Sequence, residues 1–177
     1  MKIVNLLSAI FFITISCKED KSHETATAED IQVFTVALDV EVNEPDSFSL
    51  YYTEDGSINF GDIPAIWATV EGSTDVQRVV FSLPEGAKPT QLRLDLGMNK
   101  KQEDIVLRQV TMTYGDKKFA VAGPEVFTYF RPDNSKCKVN TRTSRITAKY
   151  RDGIRQTPSL YPHEDALGIK MKRLINN

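Results

Sequence analysis

From residue 34 to residue 42 the chain alternates apolar and polar side chains. Phe34, Val36, Leu38, Val40 and Val42 take one phase; Thr35, Ala37, Asp39 and Glu41 take the other. A period of two is the geometry of a β-strand, whose successive side chains point to opposite faces, and it cannot line one side of a helix. The same pattern returns along the chain. Phe48, Leu50 and Tyr52 alternate with Ser47, Ser49 and Tyr51 after the turn Asn43-Glu44-Pro45-Asp46. Residues 67–70, 79–83 and 92–95 read as further strands, each closed by a turn signal such as Glu71-Gly72-Ser73, Pro84 or Gly97. Ile105, Leu107, Val110 and Met112 keep period two on either side of one extra residue, which predicts a β-bulge near Arg108-Gln109. Gly115-Asp116 between two strand patterns suits a two-residue hairpin of type II′. Residues 126–130 and 145–150 are two more candidate strands. Pro84, Pro89, Pro124 and Pro132 all fall at strand ends, where a missing backbone donor does least harm.

No long segment before residue 160 has a helical period. Only residues 164–175 fit a helix, with Leu167, Met171, Leu174 and Ile175 on one face and Gly168 working against it. These patterns predict an all-β fold: an antiparallel β-sandwich of about eight or nine strands with a short C-terminal helix.

The first residues carry a different signal. Lys2 is followed by an apolar stretch over residues 3–15, then Ser16-Cys17, then Lys18-Glu19-Asp20. One positive charge, an apolar run and small residues form the layout of a signal peptide, and the run is too short to span a bilayer core, which needs about 20 apolar residues. A small residue before a cysteine, directly after the apolar region, looks like the lipobox of bacterial lipoproteins, although Thr14 stands where that family usually has Leu. The resemblance implies cleavage before Cys17 and lipid on its thiol, which would anchor the chain to a membrane. An ordinary signal peptide or a buried N-terminal helix is the alternative. Cys-Lys followed by two acidic residues resembles the export signal of surface lipoproteins of Bacteroidota, which implies an outer-membrane lipoprotein exposed at the cell surface.

Residues 18–30 contain no large apolar side chain and read as a flexible tether, leaving residues 31–177 for the folded domain. That length suits one domain with its own core. The only cysteines are Cys17 and Cys137; with lipid on the first, the second has no partner in the chain for a disulfide. Charge is unevenly placed. Residues 18–87 hold 15 Asp or Glu against 3 Lys or Arg, whereas residues 88–177 hold 9 against 18. In one sandwich the halves attract each other; otherwise the molecule has a basic side. The basic residues are scattered along the chain, so no nucleic-acid partner is expected.

Several short segments resemble carbohydrate-binding-like jelly rolls with the galactose-binding topology. They are Phe48-Ser49-Leu50-Tyr51-Tyr52-Thr53, Val79-Val80-Phe81-Ser82-Leu83-Pro84, Leu92-Arg93-Leu94-Asp95-Leu96-Gly97 and the alternation from Ile105 to Met112. The resemblance covers a third to a half of the chain and implies a fold more than an activity.

Catalytic motifs are absent: the chain has no Gly-x-Ser-x-Gly elbow, His-Glu-x-x-His or phosphate loop. A nucleophilic pair would have to combine Cys137, in Ser-Lys-Cys-Lys where two lysines would lower a thiol pKa, with His163, since His23 lies in the tether. Paired carboxylates of a glycoside hydrolase would come from turn residues such as Glu54, Asp55 and Asp62. The same acidic turns leave structural calcium as the one cofactor to consider. Sugar binding needs aromatic surfaces beside polar groups. Tyr51 and Trp67 fall on or near the polar phase of their strands, Tyr129 does so if Phe130 points inward, and Arg93 and Asp95 share one face. The expected function is therefore a non-catalytic, surface-anchored lipoprotein that binds glycans through Tyr51, Trp67, Arg93, Asp95 and Tyr129, or that supports a glycan-handling complex. The alternatives are a structural or protein-interaction lipoprotein of the cell envelope, and a glycoside hydrolase-like enzyme.

Overall fold

The computed structural model describes residues 32–176. The expected signal peptide with Cys17 and the tether with His23 lie outside the described residues. Thirteen strands run in chain order: β1 (Phe34–Val42), β2 (Asp46–Thr53), β3 (Ile66–Val70), β4 (Ser73–Ser82), β5 (Gln91–Asp95), β6 (Ile105–Tyr114), β7 (Lys117–Ala122), β8 (Phe130–Pro132), β9 (Cys137–Asn140), β10 (Arg145–Ala148), β11 (Tyr150–Arg151), β12 (Ile154–Arg155) and β13 (Ser159–Pro162). Two helices join them, α1 (Val126–Tyr129) and α2 (Glu164–Asn176).

The strands form an antiparallel β-sandwich. One sheet has the order β4-β1-β6-β10-β9, with β7 also paired to β6; the other has the order β3-β2-β5-β13-β8; β11 and β12 make a separate ribbon. The chain crosses between the two large sheets after β1, β3, β4, β5, β7 and β8, and again between β10 and β13. That crossing buries the apolar phase of nearly every strand in one core. Phe34, Val36, Leu38, Val40 and Val42 of β1 are fully buried in the same cluster as Phe48 and Leu50 of β2 and Leu92 and Leu94 of β5. Each such side chain contributes about 1.5–3 kcal/mol relative to exposure.

The expected bulge is present. Asp39 pairs with Gln109 but Val40 pairs with Leu107, so Arg108 is the extra residue. Its guanidinium turns outward to Glu41 at 2.6 Å, one contact between the acidic and basic halves. The hairpin between β6 and β7 also follows its expectation. Tyr114 pairs with Lys117, Gly115 has φ 59°, and Asp116 is not left-handed, as a type II′ turn requires. A Cβ on Gly115 would also lie 2.8 Å from Gln32.

The chain departs from its sequence pattern after residue 122. Residues 126–130 were expected as a strand, but Gly123–Glu125 form a 3-10 turn that leads into α1, and only Phe130 is extended. Gly123, at φ 56°, and Pro124, which has no backbone donor, break the ladder. The apolar residues then fall three apart, so Val126 and Tyr129 share one buried side of the turn. The five short strands beyond residue 130 bring the count above the eight or nine expected. They are two to four residues long, and their inward side chains, such as Cys137, Ile146 and Leu160, are too few to show a period. Helix α2 runs where the pattern placed it and buries Leu167, Met171 and Leu174. Gly168 has a packing reason: a Cβ there would approach Gln91 Nε2 to 3.1 Å, and that amide donates to Glu164 O at 3.0 Å.

At one end of the sandwich, Asp46 holds the loop between β5 and β6. Its carboxylate accepts the backbone N–H of Met98 at 2.7 Å and of Asn99 at 2.9 Å, and Gln102 Nε2 at 3.2 Å. Buried Arg155 donates to the carbonyls of Gln102 and Gly97 from the other side, at 3.0 and 3.1 Å. Burial lowers the Arg155 pKa, and the nearby charge of Asp46 opposes that fall.

Candidate functional site

The outward face of the second sheet collects the polar phase of its strands. In one cross-strand row Trp67 lies opposite Ser49, Ser49 opposite Asp95, and Asp95 opposite Ser159. In the next row Tyr51 lies opposite Arg93, and Tyr161 opposite Arg131. The alternation that sends Phe48, Leu50, Leu92 and Leu94 inward necessarily sends Ser49, Tyr51, Arg93 and Asp95 outward.

Arg93 is the centre of this face. Its guanidinium lies 4.4 Å from the centroid of the Tyr51 ring and 5.3 Å from that of Tyr161. Both arms of the guanidinium fork reach Asp95, Nε at 2.9 Å from Oδ1 and Nη2 at 2.5 Å from Oδ2. Hydrogen bonding to Asp95 raises the Arg93 pKa further, against the opposing effect of burial. The pair is largely screened from water, with 15% of the Arg93 and 11% of the Asp95 side chain exposed. Phe60, from the loop between β2 and β3, packs edge-on against Tyr161 with centroids 6.0 Å apart. Arg131 reaches the same Tyr161 ring at 5.7 Å. Nearby Asp133 is held below the usual carboxylate range: burial opposes this, but bonds from Ser135 and the charges of Lys136 and Arg93 outweigh it.

Trp67 is different. It is 54% exposed, at the edge strand of the sheet, next to the row of small polar residues. Its indole offers an open aromatic surface, whereas Tyr51 and Tyr161 have theirs occupied by Arg93.

Four of the five expected sugar-binding residues, Tyr51, Trp67, Arg93 and Asp95, therefore share one sheet face. Tyr129 does not join them. It is buried in α1, edge-on to Phe119 at 5.2 Å, because the helical turn directs it into the core. Tyr161, Arg131, Phe60 and Asp133 join the face without having been singled out in the sequence. Tyr161 was legible only through the three-residue alternation Ser159-Leu160-Tyr161, and Phe60 only through a loop that folds over the sheet.

The other chemical candidates separate clearly. Cys137 is a free, fully buried thiol that donates to the carbonyls of Asp133 and Ser159 at 3.7 and 3.6 Å. Burial pushes its pKa up, so the lysines beside it in sequence do not activate it; they lie too far toward solvent to offset desolvation. His163 is exposed, with its backbone N–H bonded to Tyr129 O. Native protein should accordingly resist a thiol reagent such as 5,5′-dithiobis(2-nitrobenzoate) at pH 8 and react fully once unfolded; rapid reaction of the folded form would contradict this burial. The sign for stability follows. The folded thiol keeps its proton above pH 9.0, the ordinary value, where the unfolded one loses it, so stability falls as pH rises beyond that point.

Glu54, Asp55 and Asp62 line one open cavity of about 440 Å³. Asp55 is held low by the backbone N–H and hydroxyl of Ser57, and Glu54 accepts the backbone N–H of Lys88. Among the described residues no group of three or more His, Cys, Asp or Glu is arranged to hold a metal ion, and no helix is long and apolar enough to cross a membrane. No protein-family description, no characterised protein and no solved structure matches this chain.

Proposed function

We propose that this chain is a surface-anchored, non-catalytic lipoprotein that binds glycans on the outer face of its second sheet, or supports a glycan-handling complex there. The observation that carries the reading is the exposed indole of Trp67 beside exposed Thr69 and the Tyr51–Arg93–Asp95 cluster. An aromatic surface takes the apolar face of a pyranose, and neighbouring hydroxyl and charged groups take its hydroxyls. In this reading Trp67 stacks, Tyr51 supplies a phenol at the rim, and the Arg93–Asp95 pair holds the platform rigid. Lipid on Cys17 would present the domain at the outer membrane of the cell surface.

Glycan-array screening followed by calorimetric titration tests this. The wild-type protein should bind at least one polysaccharide, and Trp67→Ala should weaken that binding about tenfold or more, the size expected of an aromatic anchor. Thermal stability should stay within about 0.5 kcal/mol, since the side chain is exposed. Absence of binding across plant, host and bacterial glycans would end the glycan part. A protein-interaction role in the envelope is the second reading, and the half-exposed Val76 and Val80 on edge strand β4 favour it.

A further inference from the structure

Helix α2 and strand β7 form a groove of about 290 Å³ that the glycan reading does not use. Its lining is Lys117, Lys118, Phe119, Lys170, Arg173 and Leu174. Four of the six are cations, and among the described residues none of the four lies within 4.0 Å of a carboxylate. Elsewhere in this domain exposed arginines such as Arg78, Arg108 and Arg145 do find carboxylates, Asp39, Glu41 and Asp104. Other cations, such as Lys88, Lys100 and Lys138, also have no carboxylate within 4.0 Å among the described residues, but Lys117, Lys118, Lys170 and Arg173 line one groove. Asp116, at the tip of the adjoining turn, is the nearest acid in sequence, and it is exposed.

The floor of the groove is fixed. Phe119 stands edge-on to buried Tyr129, and Leu174 is in the core. Lys170 Nζ sits 5.1 Å from the Phe119 centroid and 5.9 Å from that of Tyr129, so its ammonium lies over the aromatic floor. Strand β7 pairs only with β6 among the described strands, so its other edge also presents backbone N–H donors.

We propose that this groove binds an acidic polysaccharide, one carrying carboxylate or sulfate groups along its chain. Four cations on two elements are matched best by a ligand that brings several negative charges, and at physiological salt charges act over only about 8 Å, so those charges must lie in the groove itself. The groove is concave, and its apolar residues form the floor rather than a projecting edge. That geometry suits a chain laid along it better than a bilayer, which needs apolar groups that protrude. This site is separate from the Trp67 face, so either can fail without the other.

The test is titration of the full chain with dextran sulfate, with polygalacturonate and with unsubstituted dextran, at low and at physiological salt. Binding of at least one charged polymer, weakening as salt rises, with no binding of dextran at the groove, is expected. The variant Lys118→Glu with Arg173→Glu changes two exposed residues and should weaken this binding at least about tenfold. Lys138→Glu with Arg142→Glu, an equal charge change on and beside β9, should have little effect. An equal loss in that control would reduce the effect to net charge and overturn the site. Equal affinity for linear polyphosphate would overturn the saccharide assignment. Binding to phosphatidylglycerol vesicles without binding to either charged polysaccharide would overturn the proposal in favour of a membrane surface.

Discussion

Replacing Asp46 with alanine is expected to cost about 3–5 kcal/mol of folding stability, a fall in Tm of roughly 10 °C for a domain of this size. The carboxylate is 7% exposed and accepts three bonds from the loop between β5 and β6, from the Met98 and Asn99 N–H groups and from Gln102. Alanine would leave these donors without an acceptor, each bond to a charged group being worth about 1.5–3 kcal/mol. It would also remove the negative charge closest in effect to buried Arg155, which already has one guanidinium nitrogen without a partner. Asp46→Asn keeps an acceptor but loses the charge, so it should cost about half as much. Urea unfolding followed by fluorescence measures both. A loss below about 1 kcal/mol for Asp46→Ala would show that the loop does not depend on this carboxylate. Gly97 belongs to the same arrangement: at φ 83°, its missing Cβ would lie 2.5 Å from Asp46 Oδ2.

Arg93→Ala is expected to destabilise the domain by about 2–4 kcal/mol, because it strands a nearly buried Asp95 and empties the space between two tyrosine rings. Arg93→Lys should recover only part of this, since an ammonium can neither form the two-pronged bond to Asp95 nor stack as a plane between Tyr51 and Tyr161. A double-mutant cycle with Asp95→Ala isolates the pair, and a coupling of about 1–3 kcal/mol is expected. A coupling near zero would mean that the two charges are screened by solvent and that Arg93 is free to serve a ligand. The expected outcome instead assigns Arg93 and Asp95 to the platform and leaves Trp67 as the residue a ligand meets.

That division bears on what could be read before the fold was known. The sheet face was legible because a period of two fixes which side chains leave the core together: once Leu92 and Leu94 are inward, Arg93 and Asp95 share the other side. Tyr129 was misplaced for the same reason. A five-residue apolar run fits a strand or one helical turn equally well, and Gly123-Pro124 decided for the turn. Phe60, Tyr161 and Arg131 were missed because they reach the face from a long loop and two short strands whose pairing partners are far away in sequence. The basic groove was foreshadowed only as a surplus of charge in residues 88–177.

The sequence by itself determined the local terms: strand period, the bulge at Arg108, the II′ turn at Gly115 and the amphipathic C-terminal helix. Each is set by side-chain alternation or by the backbone freedom of one residue, so neighbours in the chain suffice. Only the tertiary structure decided that Cys137 is desolvated rather than activated, that Asp46 governs a loop some fifty residues away, and that Lys117, Lys118, Lys170 and Arg173 meet in one groove. Those outcomes depend on distances between segments remote in sequence, and desolvation and Coulomb terms follow distance and burial, which no local pattern encodes.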